Sequence, residues 1–109
     1  MAYSETLAGR IRQRLRRRRD VAEKKMFGGV GFLLGGRLVV GVWKESLVAR
    51  VGPDDYAAAL READVTEFAI TGRAMTGWVL VGPAGVADDA TLADWIDRCL
   101  AFVATLPAK

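Results

Sequence analysis

The sequence predicts an α+β fold: a two-layer domain in which an antiparallel β-sheet packs against N- and C-terminal helices, with one short middle helix. Three observations carry this expectation. Apolar residues crowd residues 38–51 in strand-like runs that alternate in the last of them, and from Leu92 to Leu106 they recur at intervals of three and four. Between the strand-like runs the connections are glycine pairs or two charged residues, which allows hairpins and leaves no room for crossover helices. A length of 109 residues fits one domain, 1–109, with 51% hydrophobic and 27% charged residues as in ordinary globular chains.

Taken in order, Ser4 is placed to cap a helix opening at Glu5, whose charge suits the positive end of the helix dipole. Leu7, Ile11 and Leu15 then fall four apart and form a narrow apolar stripe, while Arg10, Arg12, Arg14, Arg16, Arg17, Arg18 and Arg19 cover the rest. On an ideal wheel Arg18 falls inside that stripe, so the helix is expected to end near Arg17–Asp20. Val21 to Phe27 reads as a short strand or an extended lead-in. Gly28-Gly29 reads as a bend into a strand at 29–34, and Gly35-Gly36 as the tight turn of a hairpin whose second strand is 38–44. Lys44-Glu45 turns the chain into a third strand, 46–51, with Leu47, Ala49 and Val51 on one face and Val48 and Arg50 on the other. An antiparallel meander is the economical topology.

Pro53-Asp54-Asp55 reads as a helix start, with an early proline and two carboxylates in the first turn, and Tyr56, Ala59, Leu60 and Ala63 as the buried face of that helix. Residues 67–70 are expected to pair briefly, Thr71-Gly72-Arg73 to turn, and Gly77 to Val81 to form a strand. After a loop at 82–85, Asp88 caps a final helix whose apolar face is Leu92, Trp95, Ile96, Cys99, Phe102, Val103 and Leu106, and Pro107 stops it. This helix is expected to cover the sheet. Met75 and Trp78 read as core packing in preference to a ligand surface.

Chemistry is harder to find. The glycines of 28–36 miss the spacing of a dinucleotide fingerprint and open no helix, and no Gly-Lys-Ser/Thr ending marks a phosphate loop. They read as structural, with the Gly28-Gly29 backbone as the place where an anion or partner would find open amides. There is no histidine, and the single Cys99 sits at helical spacing among apolar residues, so no metal, cofactor or paired nucleophile is implied. Asp54, Asp55, Asp88 and Asp89 are explained by helix starts, and Asp94 and Asp97 by a solvated surface. The net charge of +3 is uneven: residues 1–25 carry nine basic and three acidic side chains, and residues 26–109 carry seven and ten. The arginine run at 10–19 is the candidate polyanion contact, although no interleaved aromatics accompany it for stacking single strands.

Lys25-Met-Phe-Gly-Gly-Val-Gly-Phe32, the Gly35-Gly36 turn, Leu47-Val-Ala-Arg-Val-Gly52 and Gly72-Arg-Ala-Met-Thr-Gly-Trp78, with the helix from Trp95 to Pro107, resemble the N-terminal domain of the TfoX/Sxy competence-regulator family over residues 8–107. The resemblance implies a two-layer domain with helices flanking an antiparallel sheet, similar to secretion-chaperone-like folds, and it brings no catalytic residues. Family members regulate competence genes, many with a second helical domain; this chain reads as a stand-alone version. The signature positions, and so the candidate interaction residues, are Met26, Phe27, Gly28, Gly29, Arg50, Gly72, Arg73, Met75 and Gly77.

The leading functional reading is therefore a non-enzymatic, cytoplasmic regulatory or protein-interaction domain, with self-association as a homodimer through a sheet edge or helix face among its modes. The alternative is a nucleic-acid-associated factor acting through the basic N-terminal helix. A small-substrate enzyme is third, and no membrane role is assigned, because Leu7, Ile11 and Leu15 make a thin anchor that the core also needs.

Overall fold

The structure is a computed structural model that describes residues 3–26, 28–69 and 72–107. Helix α1 spans Glu5–Leu15 and is capped as expected, with the Leu7 amide donating to Ser4 Oγ at 3.1 Å. Its last residue to reach the core is Leu15, and the helix stops there, slightly before the expected end. Four strands follow as hairpins: β1 (Val21–Met26), β2 (Gly29–Leu34), β3 (Arg37–Trp43) and β4 (Ser46–Arg50). Gly35 and Gly36 both hold positive φ, 59° and 83°, which is the requirement of a two-residue turn whose twist matches the flanking strands. Lys44 takes a φ of 55° in the next turn, and its carbonyl accepts from the Ser4 amide at 2.7 Å, which ties the start of the chain to the sheet.

The chain then forms the short helix α2 (Tyr56–Leu60), strand β5 (Val65–Glu67), strand β6 (Trp78–Val81), a 3-10 turn (Pro83–Val86) and the long helix α3 (Asp89–Ala104). At the N-terminus of α3 the Thr91 amide donates to Asp88 Oδ2 at 3.1 Å. All pairings are antiparallel, in the order β1-β2-β3-β4-β6-β5. The expected meander thus holds through β4, after which β6 pairs with β4 and leaves β5 at the edge.

Several expectations are corrected. Strand β2 begins at Gly29 as the expected strand 29–34 has it, with Gly29 paired to Met26, so the expected Gly28-Gly29 bend shortens to Gly28, at a φ of 76°; Phe27 lies outside the described residues. Pro53 precedes α2 instead of opening it, and Asp55 makes no cap bond because its carboxylate is engaged by Arg98 of α3. The helix ends at Leu60, so Ala63 is exposed and only Ala59 of the expected face is fully buried. The brief pairing falls on Val65–Glu67, so that of the expected 67–70 Glu67 is in the strand while Phe68 and Ala69 follow it; Ile70 lies outside the described residues, as does Thr71 of the expected turn. Met75 is 44% exposed and packs in no core.

All three helices lie side by side on one face of the sheet. Arg10 and Arg14 of α1 pair with Asp89 and Asp97 of α3, and Arg98 of α3 pairs with Asp55 and Glu62 at the two ends of α2. Beneath them Leu7, Ile11 and Leu15 of α1 and Leu92, Trp95, Ile96, Cys99 and Val103 of α3 meet one face of the strands in a single core. The strand residues in it are those that the register aligns: Val30 and Phe32, Val42 and Val40, Leu47 and Ala49, Val81 and Val79, then Val65. A register shift between Phe32 and Leu33 leaves Val39 without a cross-strand partner, and it joins Val40 in the core.

Candidate functional site

The seven arginines of the first helix and its exit divide into two groups. Arg12 grips Glu23 of β1 through two bonds of 2.7 and 2.6 Å, which hold that carboxyl below its usual range, and reaches Glu5 at 3.2 Å, whose carboxyl is lowered first by the Tyr3 hydroxyl and then by Arg12. Arg10 donates to Asp89 at 2.8 Å, Arg14 to Asp97 at 2.6 Å, and Arg18 to Asp20 at 2.9 Å. Arg16, Arg17 and Arg19 have no ion pair among the described residues, and all three are exposed. A groove of about 640 Å³ runs between α1 and α3, floored by Gly9 and Ala93 and walled by Arg14, Arg16 and Arg17. Part of its positive charge is cancelled by Asp89 and Asp97. The expected polyanion surface therefore narrows to Arg16, Arg17 and Arg19.

The second surface is the sheet face that no helix covers. By strand alternation and register it carries Met26, Gly31, Leu33, Leu38, Gly41, Trp43, Val48, Trp78 and Leu80. Val48 is fully buried at its centre yet belongs to none of the helix-covered core, while Met26, Leu33, Leu38, Trp43, Trp78 and Leu80 are each half-buried. Gly31 makes the middle of this face close-packed: a Cβ there would stand 2.6 Å from Leu38 and 2.8 Å from the Met26 sulfur. The signature residue Met26 is accordingly a packing element of the open face.

Arg50 lies at one end of that face. It pairs across the strands with Trp78, its guanidinium sits 4.9 Å from the Trp78 ring centre and 5.8 Å from that of Phe102, and it donates to the Leu38 carbonyl at 3.5 Å. Burial, and then the charge of Arg37, press against its charged form. Behind it the amides of Val51 and Gly52 both donate to the Gly77 carbonyl, at 2.9 and 3.1 Å. Gly77 has a φ of 93°, and a Cβ added to it would stand 3.2 Å from the Gly52 carbonyl carbon. Arg50, Gly52, Gly77 and Trp78 are thus one joint, contiguous with the open face. Gly72, Arg73 and Met75 lie in the exposed loop before β6 and do not converge on this joint. Sequence alone missed the open face, because a run such as Leu38-Val-Val-Gly-Val-Trp43 does not say which side the helices take.

Nothing described suits catalysis by metal or thiol. No group of three His, Cys, Asp or Glu side chains gathers among the described residues. Cys99 is fully buried, and burial pushes its thiol up to about 12. An unfolded thiol ionises near 9, so between these values the folded state holds the extra proton. The stability that this contributes is complete below about pH 9 and is lost as pH rises towards 12. Denaturation midpoints are expected to fall more steeply over that range in the native protein than in Cys99→Ala; parallel curves would show that the thiol is not so placed. A thiol reagent at neutral pH is expected to reach Cys99 only through unfolding.

With this geometry in view, comparison with known families is decisive about kinship. The family described as TfoX N-terminal domain matches residues 13–103. No curated protein and no solved structure matches the chain. The match takes in the last three residues of α1 and its exit, the whole sheet and all of α3 but Ala104, including the Arg50 joint and the Met26–Gly31 contact. The chain belongs to the TfoX N-terminal domain family.

Proposed function

We propose that this domain is a non-enzymatic regulatory module that works by docking a protein on the helix-free face of its sheet. The single observation behind the reading is that face itself. Six large apolar side chains, Met26, Leu33, Leu38, Trp43, Trp78 and Leu80, stand half-buried around Val48 with no helix over them. Contiguous apolar surface on a small domain marks an interaction site. The sheet edges fit that role less well: β1 carries Glu23, Lys24 and Lys25 along its length, and β5 is only three residues long, both devices that discourage strand addition. The cytoplasm is the proposed setting, since a lone buried thiol suits a reducing compartment.

The test places a charge on the face. Leu33→Asp and Leu80→Asp are expected to keep the native circular dichroism and to lose capture of protein partners in quantitative pull-downs. If neither variant alters any association of the intact chain, the face is not the docking site.

A second reading rests on Arg16, Arg17 and Arg19, which are exposed where α1 ends and have no ion pair among the described residues. Three cations able to neutralise phosphates would bind duplex nucleic acid with a plot of log affinity against log salt of slope about −3. Neutralising the three to glutamine is expected to abolish that slope. Absence of binding to random duplex DNA at moderate salt removes the reading.

A further inference from the structure

The open face has cations and, on its strands, no carboxylate. Alternation brings Lys24 of β1 and Arg50 of β4 to it, and Lys44, in the turn after β3, holds its ammonium 4.6 Å from the Trp43 ring centre. The strand carboxylates go to the opposite side, where Arg12 takes Glu23 and the Tyr56 hydroxyl donates to Glu67 at 3.5 Å. Arg50 differs from Arg10, Arg12, Arg14, Arg18 and Arg98, each of which has a carboxylate partner. It is half-buried between two rings, and one long bond to a carbonyl uses little of a guanidinium's five-donor fork.

We infer that the occupant of this face is an apolar protein segment bearing acidic side chains, one of whose carboxylates pairs with Arg50 while others meet Lys24 and Lys44 at the rim. The inference rests on the docking reading above and names the partner's chemistry. Charge complementarity selects this occupant. A second copy laid face to face would bring Lys24, Lys44 and Arg50 against their own kind. A single nucleic-acid strand needs free aromatic platforms. Here Trp43 and Trp78 are each overlain by a cation of the chain itself, and the centre, Gly31, Gly41, Val48 and Leu80, offers aliphatic contact instead.

The probe is a display library of random linear peptides selected against the intact chain, with an oligothymidine strand as competitor. Enriched peptides are expected to combine apolar residues with Asp or Glu, and to bind Arg50→Gln about tenfold more weakly, the weight of one charge-assisted hydrogen bond. Lys24→Glu, on an exposed side chain that the fold does not need, is expected to weaken them several-fold and guards against a folding defect in Arg50→Gln. Peptides that are lost in Leu33→Asp but show no acidic bias and ignore Arg50→Gln and Lys24→Glu would overturn this inference and leave the docking reading standing. Peptides that bind Leu33→Asp as well as the native chain, or no enrichment at all, would overturn both. Displacement of the peptides by oligothymidine would assign the face to nucleic acid and overturn the protein occupant.

Discussion

Gly52→Ala is expected to destabilise the domain by about 2–4 kcal/mol, the sum of a strained backbone and an overfilled joint. Gly52 holds a φ of 91°, which residues with a Cβ rarely adopt, and an added Cβ would meet the Phe102 ring at 2.4 Å. The ring can swing away, but doing so removes it from Arg50, whose guanidinium it flanks. The backbone strain has no such relief, because the Val51 and Gly52 amides are both fixed on the Gly77 carbonyl. Thermal melting should fall by roughly 10 °C or more for a domain of this size. Pairing Gly52→Ala with Phe102→Ala separates the two causes, since only the steric part is recovered in the double variant. A melting point unchanged from the native protein would mean that the joint is not built as described.

The next largest effect is expected from Ile96→Ala, at about 2–5 kcal/mol. Ile96 is fully buried at the middle of α3, where it belongs to the same core as Ile11 of α1 and Leu47 of β4. Removing its outer carbons leaves a void that close-packed neighbours on three elements cannot collapse into. Urea denaturation should show the midpoint falling with an unchanged slope, the sign of lost stability without a changed unfolded state. Met75→Ala, at an exposed position, should stay within about 0.5 kcal/mol. Were the two variants to cost the same, α3 would not be the lid of the core.

How much of this was legible in the sequence depended on how local each signal was. The caps at Ser4 and Asp88, the Gly35-Gly36 turn and the buried stripe of α3 are each written within a few residues, and each stands where it was expected. Strand β5 has three residues, of which only Val65 reaches the core, and so little pattern cannot announce an edge strand. The arginines were harder. Whether Arg10 and Arg14 are free for a ligand depends on Asp89 and Asp97, which lie more than seventy residues away. No spacing rule on one helix carries that information. Likewise Arg50 was visible as a signature residue, but that it meets no carboxylate among the described residues is a property of the assembled sheet.

The first and last helices of the described fold share one side of the sheet, joined by Arg10–Asp89 and Arg14–Asp97. Synthesis proceeds from the N-terminus, so the hairpins β1 to β4 can form from local contacts while α3 is still being made. During that interval the helix side of the sheet lacks its longest cover, and Arg10 and Arg14 of α1 lack the carboxylates that α3 brings. A ribosome stalled before α3 emerges would therefore present a basic helix beside a sticky sheet, the state most in need of a chaperone. Release of α3 converts it in one step, because the same helix supplies the missing oil and the missing acid.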